Sequence, residues 1–141
     1  MLYLALYKGK GDWKDKAIRL FTRGQYSHCE LAILNENTHD FDCYTSSPRD
    51  GGVRMKRMSL PPEDWDLIVL PERFKLNTLK LFDETCGAKY DLIGALGVVI
   101  LMRERATKWF CSEWCGTALG LPESWRFSPN DLAQLAKGLT Q

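Results

Sequence analysis

An α+β fold is what this sequence predicts, on three observations. Short, β-leaning apolar runs bounded by turn residues recur between Leu2 and Leu70, with one helical stretch among them, whereas helical periodicity takes over from Glu72 onward. Hydrophobic residues at 45% and charged ones at 26% of 141 residues are ordinary values for a chain built on one packed core. No internal repeat or flexible linker divides the chain, so residues 1–141 are expected to form one domain.

Each element has a local reason. Leu2-Tyr3-Leu4-Ala5-Leu6-Tyr7 reads as a strand stopped by Lys8-Gly9-Lys10-Gly11. Asp12 is placed to cap the next segment, where Trp13, Ala17, Ile18, Leu20 and Phe21 recur at helical spacing; the helix Trp13 to Thr22 should end at Gly24. Tyr26 to Leu34 follows as a strand, closed by Asn35-Glu36-Asn37. Its alternation puts His28, Glu30 and Ala32 on one face and Cys29, Leu31 and Ile33 on the other. A strand from about Asp40 to Ser46 pairs back as a hairpin, and Ser47-Pro48-Arg49-Asp50-Gly51-Gly52 turns into a third, Val53 to Met58, whose Arg54, Lys56 and Arg57 read as a solvated edge, although a substrate carboxylate could use them. Leu60-Pro61-Pro62 breaks that strand, and Trp65 to Leu70 makes a fourth, closed by Pro71. Phe74, Leu76, Leu79, Leu81 and Phe82 predict a helix from Glu72 to about Thr85. After Gly87, Tyr90 to Met102 predicts a more buried helix, weakened by Gly94 and Gly97. The connector Arg103-Glu104-Arg105 leads to a helix opening at Cys111, and Ser128-Pro129 starts the last one.

Composition excludes several roles. Nineteen basic against 18 acidic residues, with no long run of one sign, give no electrostatic footprint for nucleic acid. The longest apolar run, Leu92 to Met102, falls short of the roughly 20 residues of a membrane-spanning helix. Met1 to Tyr7 lacks the charged start and apolar core of a signal peptide, so a cytoplasmic location is expected; an extracellular substrate would require phage-type lysis or a dedicated export route. Five cysteines (29, 43, 86, 111 and 115), an odd number, point to reduced thiols. Neither a metal nor a cofactor is expected, because Cys111 and Cys115 have no partner pair and His28 and Cys29 point to opposite strand faces.

The chemistry centres on Trp109-Phe110-Cys111-Ser112-Glu113-Trp114-Cys115. A thiol at a helix N-terminus meets unpaired backbone N–H groups and the positive end of the macrodipole, which favour thiolate. Ser112 and Glu113 complement that helix start, and Trp109, Trp114 and Trp125 read as core rather than as walls of a cleft, the other role open to them. A nucleophilic thiol needs a base, and the chain has two histidines: His28 on its strand, and His39 beside a turn and expected exposed. Taken singly, Cys111 also fits a small core residue and His28 a locally satisfied strand histidine; the pair says more than either.

Five segments carry a resemblance. The run Ala17-Ile18-Arg19-Leu20-Phe21-Thr22-Arg23-Gly24-Gln25-Tyr26-Ser27-His28-Cys29-Glu30-Leu31-Ala32-Ile33, then Tyr44-Thr45-Ser46-Ser47, Tyr90-Asp91-Leu92-Ile93-Gly94, Phe110-Cys111-Ser112-Glu113 and Phe127-Ser128-Pro129-Asn130-Asp131-Leu132 resemble the circularly permuted papain-like hydrolases. These include relatives of the NlpC-type peptidases and of the lecithin:retinol acyltransferase group, in which the histidine strand precedes the cysteine helix. The resemblance implies a papain-like core with an antiparallel sheet packed on helices. It also implies Cys111 as nucleophile and His28 as base, acting on an amide, ester or thioester of a peptide, a peptidoglycan fragment or an acyl lipid. The family's third polar residue falls near Tyr44, where a tyrosine is a departure. Glu30, on the His28 face, is the competing candidate, with Asp42 behind both. Two other functions stay open: a binding module that keeps the fold without catalysis, and a redox protein using Cys111 and Cys115, whose spacing is not C-x-x-C.

Overall fold

The computed structural model describes residues 1–91 and 108–139. Strands β1 (Leu2–Tyr7), β2 (His28–Leu34), β3 (Phe41–Ser47), β4 (Gly52–Met58), β5 (Trp65–Leu70), β6 (Lys89–Tyr90) and β7 (Lys108–Trp109) form one sheet in the order β5-β1-β2-β3-β4-β6-β7. Every neighbouring pair is antiparallel except β6 and β7, which run parallel. Helix α1 (Trp13–Thr22) lies between β1 and β2, and α2 (Arg73–Thr85), α3 (Cys111–Ala118) and α4 (Pro129–Leu139) follow the main strands. The α+β class is therefore what the chain adopts, and no helix among the described residues is long and apolar enough to cross a membrane.

Two apolar layers flank the sheet. On one face Leu2, Leu4, Leu6, Cys29, Leu31, Tyr44 and Val53 pack against Trp114, Cys115 and Ala118 of α3 and Leu132 of α4. On the other, Ala5, Ala32, Cys43 and Leu60 form a smaller cluster edged by Tyr3, Phe41, Met58 and Trp65. The alternation expected of β2 holds, with Cys29 and Leu31 in the first cluster and Ala32 in the second. Burial on both faces explains why β1 and β2 read as nearly continuous apolar runs.

Several local expectations change. Asp12 does cap α1, its carboxylate accepting from Lys14 and Asp15 N–H while Asp15 reaches back to the Asp12 N–H. The left-handed residue that ends this helix is Arg23 (φ 52°), not Gly24. Gly24 is small for another reason: a Cβ there would overlap the Asn130 side chain. Tyr90, expected inside a helix, belongs to the two-residue strand β6, Asp91 after it is not helical either, and 92–102 of that predicted helix lie outside the described residues. Strand β7 immediately precedes the Cys111 helix. Ser128 and Pro129 start α4 as expected, in a reciprocal cap between Ser128 and Asp131.

Asn130 ties the C-terminal helix to the segment ahead of β2. Its Oδ1 accepts the Tyr26 N–H (3.0 Å), and its Nδ2 donates to the Tyr26 carbonyl (3.0 Å) and to Thr22 Oγ1 (3.1 Å). One side chain thus satisfies the backbone of a connector across 104 positions of sequence. Asn130→Ala is expected to cost about 2 kcal/mol in urea unfolding, from three lost hydrogen bonds of roughly 1 kcal/mol each, less local relaxation. A loss within experimental error would show that the connector is held by packing alone.

Candidate active site

His28 opens β2 and Glu30 follows it two residues later on the same face, so strand periodicity alone brings them side by side. The contact is direct: His28 Nε2 lies 3.1 Å from Glu30 Oε1, and both residues are buried. Two-residue spacing would leave the side-chain roots too far apart, so the chains lean together. Arg54 of β4 completes the arrangement, with Nη1 donating to Glu30 Oε2 (2.7 Å) and Nη2 to Glu30 Oε1 (2.8 Å). The same guanidinium also donates to Asp50 Oδ2 (2.7 Å) and to the Cys43 carbonyl (3.2 Å).

Burial of Glu30 opposes its ionisation, but the two bonds from Arg54 and the contact with His28 outweigh it and hold the carboxyl below its usual range. An ionised carboxylate only accepts, so Nε2 must be the protonated nitrogen of His28. That leaves Nδ1 as the nitrogen available to a thiol proton. Nδ1 is buried and closes no hydrogen bond among the described residues.

Cys111 is the other group that acts on the ring. It is the first residue of α3, after Phe110, which offers no side-chain cap to the helix N–H groups. The thiol is held well below the ordinary cysteine range, first by a hydrogen bond from Cys29 and then, against the cost of burial, by the charge of His28. Cys29 itself is pushed up by burial, which keeps it a thiol and therefore a donor. Burial works against the His28 cation, yet Cys111 and then Glu30 raise its pKa to about 10. Thiol and imidazole thus support each other's charged forms first through charge and then through a hydrogen-bonding contact.

Beside His28 lies a cleft of about 110 Å³, lined among others by Tyr7, Asp15, Glu30, Arg49, Arg54 and Trp65. Trp65 meets the His28 ring edge-on at 6.4 Å. Asp15 accepts from Arg49 Nη2 and Ser27 Oγ (2.7 Å each), and Arg49 stacks 5.2 Å from the Tyr7 ring centroid. Cys111 does not line this cleft and is only 2% exposed.

Of the candidate residues, His28, Glu30 and Cys111 come together and Tyr44 does not. Tyr44 pairs with Leu31, so it shares that residue's face of the sheet, and its ring packs edge-on to Phe82 at 5.2 Å. Asp42 is paired with its cross-strand neighbour Arg57 (2.7 Å). Arg54 was expected at a solvated edge. The signal for its true place was Glu30: a carboxylate facing inward from a strand demands a cation nearby, although nothing in the sequence says which. Cys115 lies in the same core cluster as Cys111 and points its sulfur toward the Cys29 carbonyl (3.7 Å). No group of three or more His, Cys, Asp and Glu side chains suited to a metal occurs among the described residues.

The chain matches no family model, no curated protein and no solved structure.

Two outcomes follow from this electrostatic arrangement. Arg54→Ala strands a buried carboxylate and should destabilise the protein by about 3 kcal/mol at neutral pH, while Arg54→Ala with Glu30→Gln should recover part of the loss. Equal instability of the single and double variants in urea would place the cost in packing. The second concerns pH. His28, raised from 6.5 to about 10, contributes stability that is complete below pH 6.5 and lost as pH rises through 10. Cys111, lowered from 9.0, contributes stability that is complete above pH 9.0 and lost as pH falls through its folded pKa. Between pH 6.5 and 9.0 the two slopes cancel, because folding only moves one proton from sulfur to nitrogen. The stability difference between the natural protein and His28→Ala/Cys111→Ala should therefore be flat across that window and shrink on both sides. A steady slope through it would mean that no such ion pair forms.

Proposed function

We propose that the chain is a thiol hydrolase of the circularly permuted papain-like kind, cleaving an amide, ester or thioester bond. The observation that carries this reading is a histidine set between a buried, cation-paired carboxylate and a thiol at a helix start whose pKa is depressed. Cys111 attacks the carbonyl carbon as thiolate, and helix-start N–H groups of α3 receive the developing oxyanion. The carbonyl's bond to its leaving group breaks, with His28 supplying the proton that group needs. Water then adds to the thioester, giving a proton back to His28 and releasing the acid and the thiolate. Glu30 holds the ring with Nε2 protonated throughout, and Arg54 holds Glu30. Peptides, peptidoglycan fragments and acyl lipids are the substrate classes this chemistry serves.

A second reading is a binding module of the same fold. The burial of Cys111 and its absence from the cleft beside His28 favour it.

Iodoacetamide labelling with mass mapping, joined to turnover of p-nitrophenyl acetate, separates the two. A hydrolase predicts selective alkylation of Cys111 at about pH 6, where ordinary thiols are inert, and an acetyl group trapped on Cys111. Cys111→Ala should abolish turnover and Cys115→Ala should keep it. His28→Ala should slow alkylation at pH 6 by about tenfold or more, as the thiol returns toward its ordinary pKa. Glu30→Gln should lower turnover by about a hundredfold and Tyr44→Phe should leave it unchanged. Slow, uniform labelling of all five cysteines, with no acetyl-enzyme, would establish the binding module instead.

A further inference from the structure

Helix α1 turns Asp15 and Ile18 inward, where both are buried, and leaves its opposite side bare. On that side Trp13 is 64% and Leu20 76% exposed. At 100° per residue Trp13, Lys16 and Leu20 fall within an arc of about 60°. Cations frame them: Lys16 and Arg23 on the same flank, Lys10 just before the helix, and Lys14, whose Nζ lies 5.9 Å from the Trp13 ring centroid. None of these four makes an ion pair among the described residues. The acids of the segment are engaged elsewhere, Asp12 on the Lys14 and Asp15 N–H groups and Asp15 on Arg49 and Ser27.

An indole and a leucine, solvated on one helix face about two turns apart with cations around them, make an amphipathic strip of the kind that lies at an interface. Lysine is depleted at protein interfaces but favoured beside anionic headgroups, where its stem lies along the apolar boundary and its charge meets phosphate. Tryptophan is likewise at home in the interfacial layer. We propose that α1 docks on the surface of an anionic lipid bilayer. Trp13 and Leu20 enter the headgroup layer, and Lys10, Lys14, Lys16 and Arg23 neutralise its charge. With only two apolar side chains inserted, the attachment is peripheral, reversible and sensitive to salt. This proposal does not rest on the hydrolase reading, since it uses none of the groups around Cys111.

Co-sedimentation of the full chain with vesicles tests it. The expected result is binding to phosphatidylcholine vesicles containing about 30% phosphatidylserine, at least about tenfold weaker binding to phosphatidylcholine alone, and loss in about 0.5 M salt. Trp13→Ala/Leu20→Ala and Lys16→Glu/Arg23→Glu should each weaken binding by about tenfold or more, while Leu76→Ala, which removes another exposed leucine, should not. Thermal melting followed by circular dichroism should be the same for all three, as expected of surface positions. No sedimentation with the anionic vesicles at low salt would overturn the proposal, as would full binding by Trp13→Ala/Leu20→Ala. So would light scattering that finds a concentration-dependent dimer dispersed by that pair, since the face would then join two copies of the chain.

Discussion

A glutamate with 1% exposure must be paired, and the arrangement around Glu30 follows from how that demand is met. Arg54 takes both carboxylate oxygens and His28 shares one of them. Because Arg54 comes from β4 and Glu30 from β2, the pair spans the intervening strand β3, to whose Cys43 carbonyl the guanidinium also donates. The charge that makes the pair necessary also sets the protonation of the ring. A carboxylate held ionised by arginine can only accept, so the imidazole presents its other nitrogen away from Glu30. Removing the cation would therefore change more than packing: it would change which proton sits on which nitrogen.

The helix side of the sheet supplies the opposite half. Helix α3 is buried along nearly its whole length, with Trp114, Cys115, Gly116 and Ala118 against strands and neighbouring helices. Small residues permit this closeness: a Cβ on Gly116 would stand 3.0 Å from Ser124 Cβ. Trp114 anchors the helix to α2 through Nε1, which donates to Thr85 Oγ1 at 2.8 Å. The first residue of α3 is thereby held against Cys29, whose thiol remains protonated and donates toward Cys111. The thiol of Cys111 thus draws on two kinds of support, a neutral donor within the core and a charged ring at the start of β2. Neither requires Cys111 to be exposed, which is why the thiol can be both buried and acidic.

Much of the fold was legible because the signals were local. Asp12, Trp13, Ala17 and Ile18 spell a capped amphipathic helix, and the turn residues between Leu34 and Val53 mark two hairpins. Gly24 and Tyr90 misled for opposite reasons. Gly24 suggested a left-handed stop, whereas its smallness answers Asn130, 106 positions away, a contact no window of sequence can register. Tyr90 looked like the start of an apolar helix, whereas a two-residue pairing with Trp109 claims it for the sheet. Short strands are decided by their partners, and the partner here is distant in the chain.

By itself the sequence determined the α+β class, the face shared by His28 and Glu30, and the placement of Cys111 at a helix start, since strand parity and capping are properties of neighbouring residues. The choice between Glu30 and Tyr44 beside the histidine belonged to the tertiary structure. The register of β2 against β3 pairs Tyr44 with Leu31 and so turns it into the helix-side core, and no local rule specifies a register. Arg54 was undecidable for the same reason: its sequence neighbours look like a solvated edge, and only the order of strands in the sheet brings its guanidinium to the buried carboxylate two strands away.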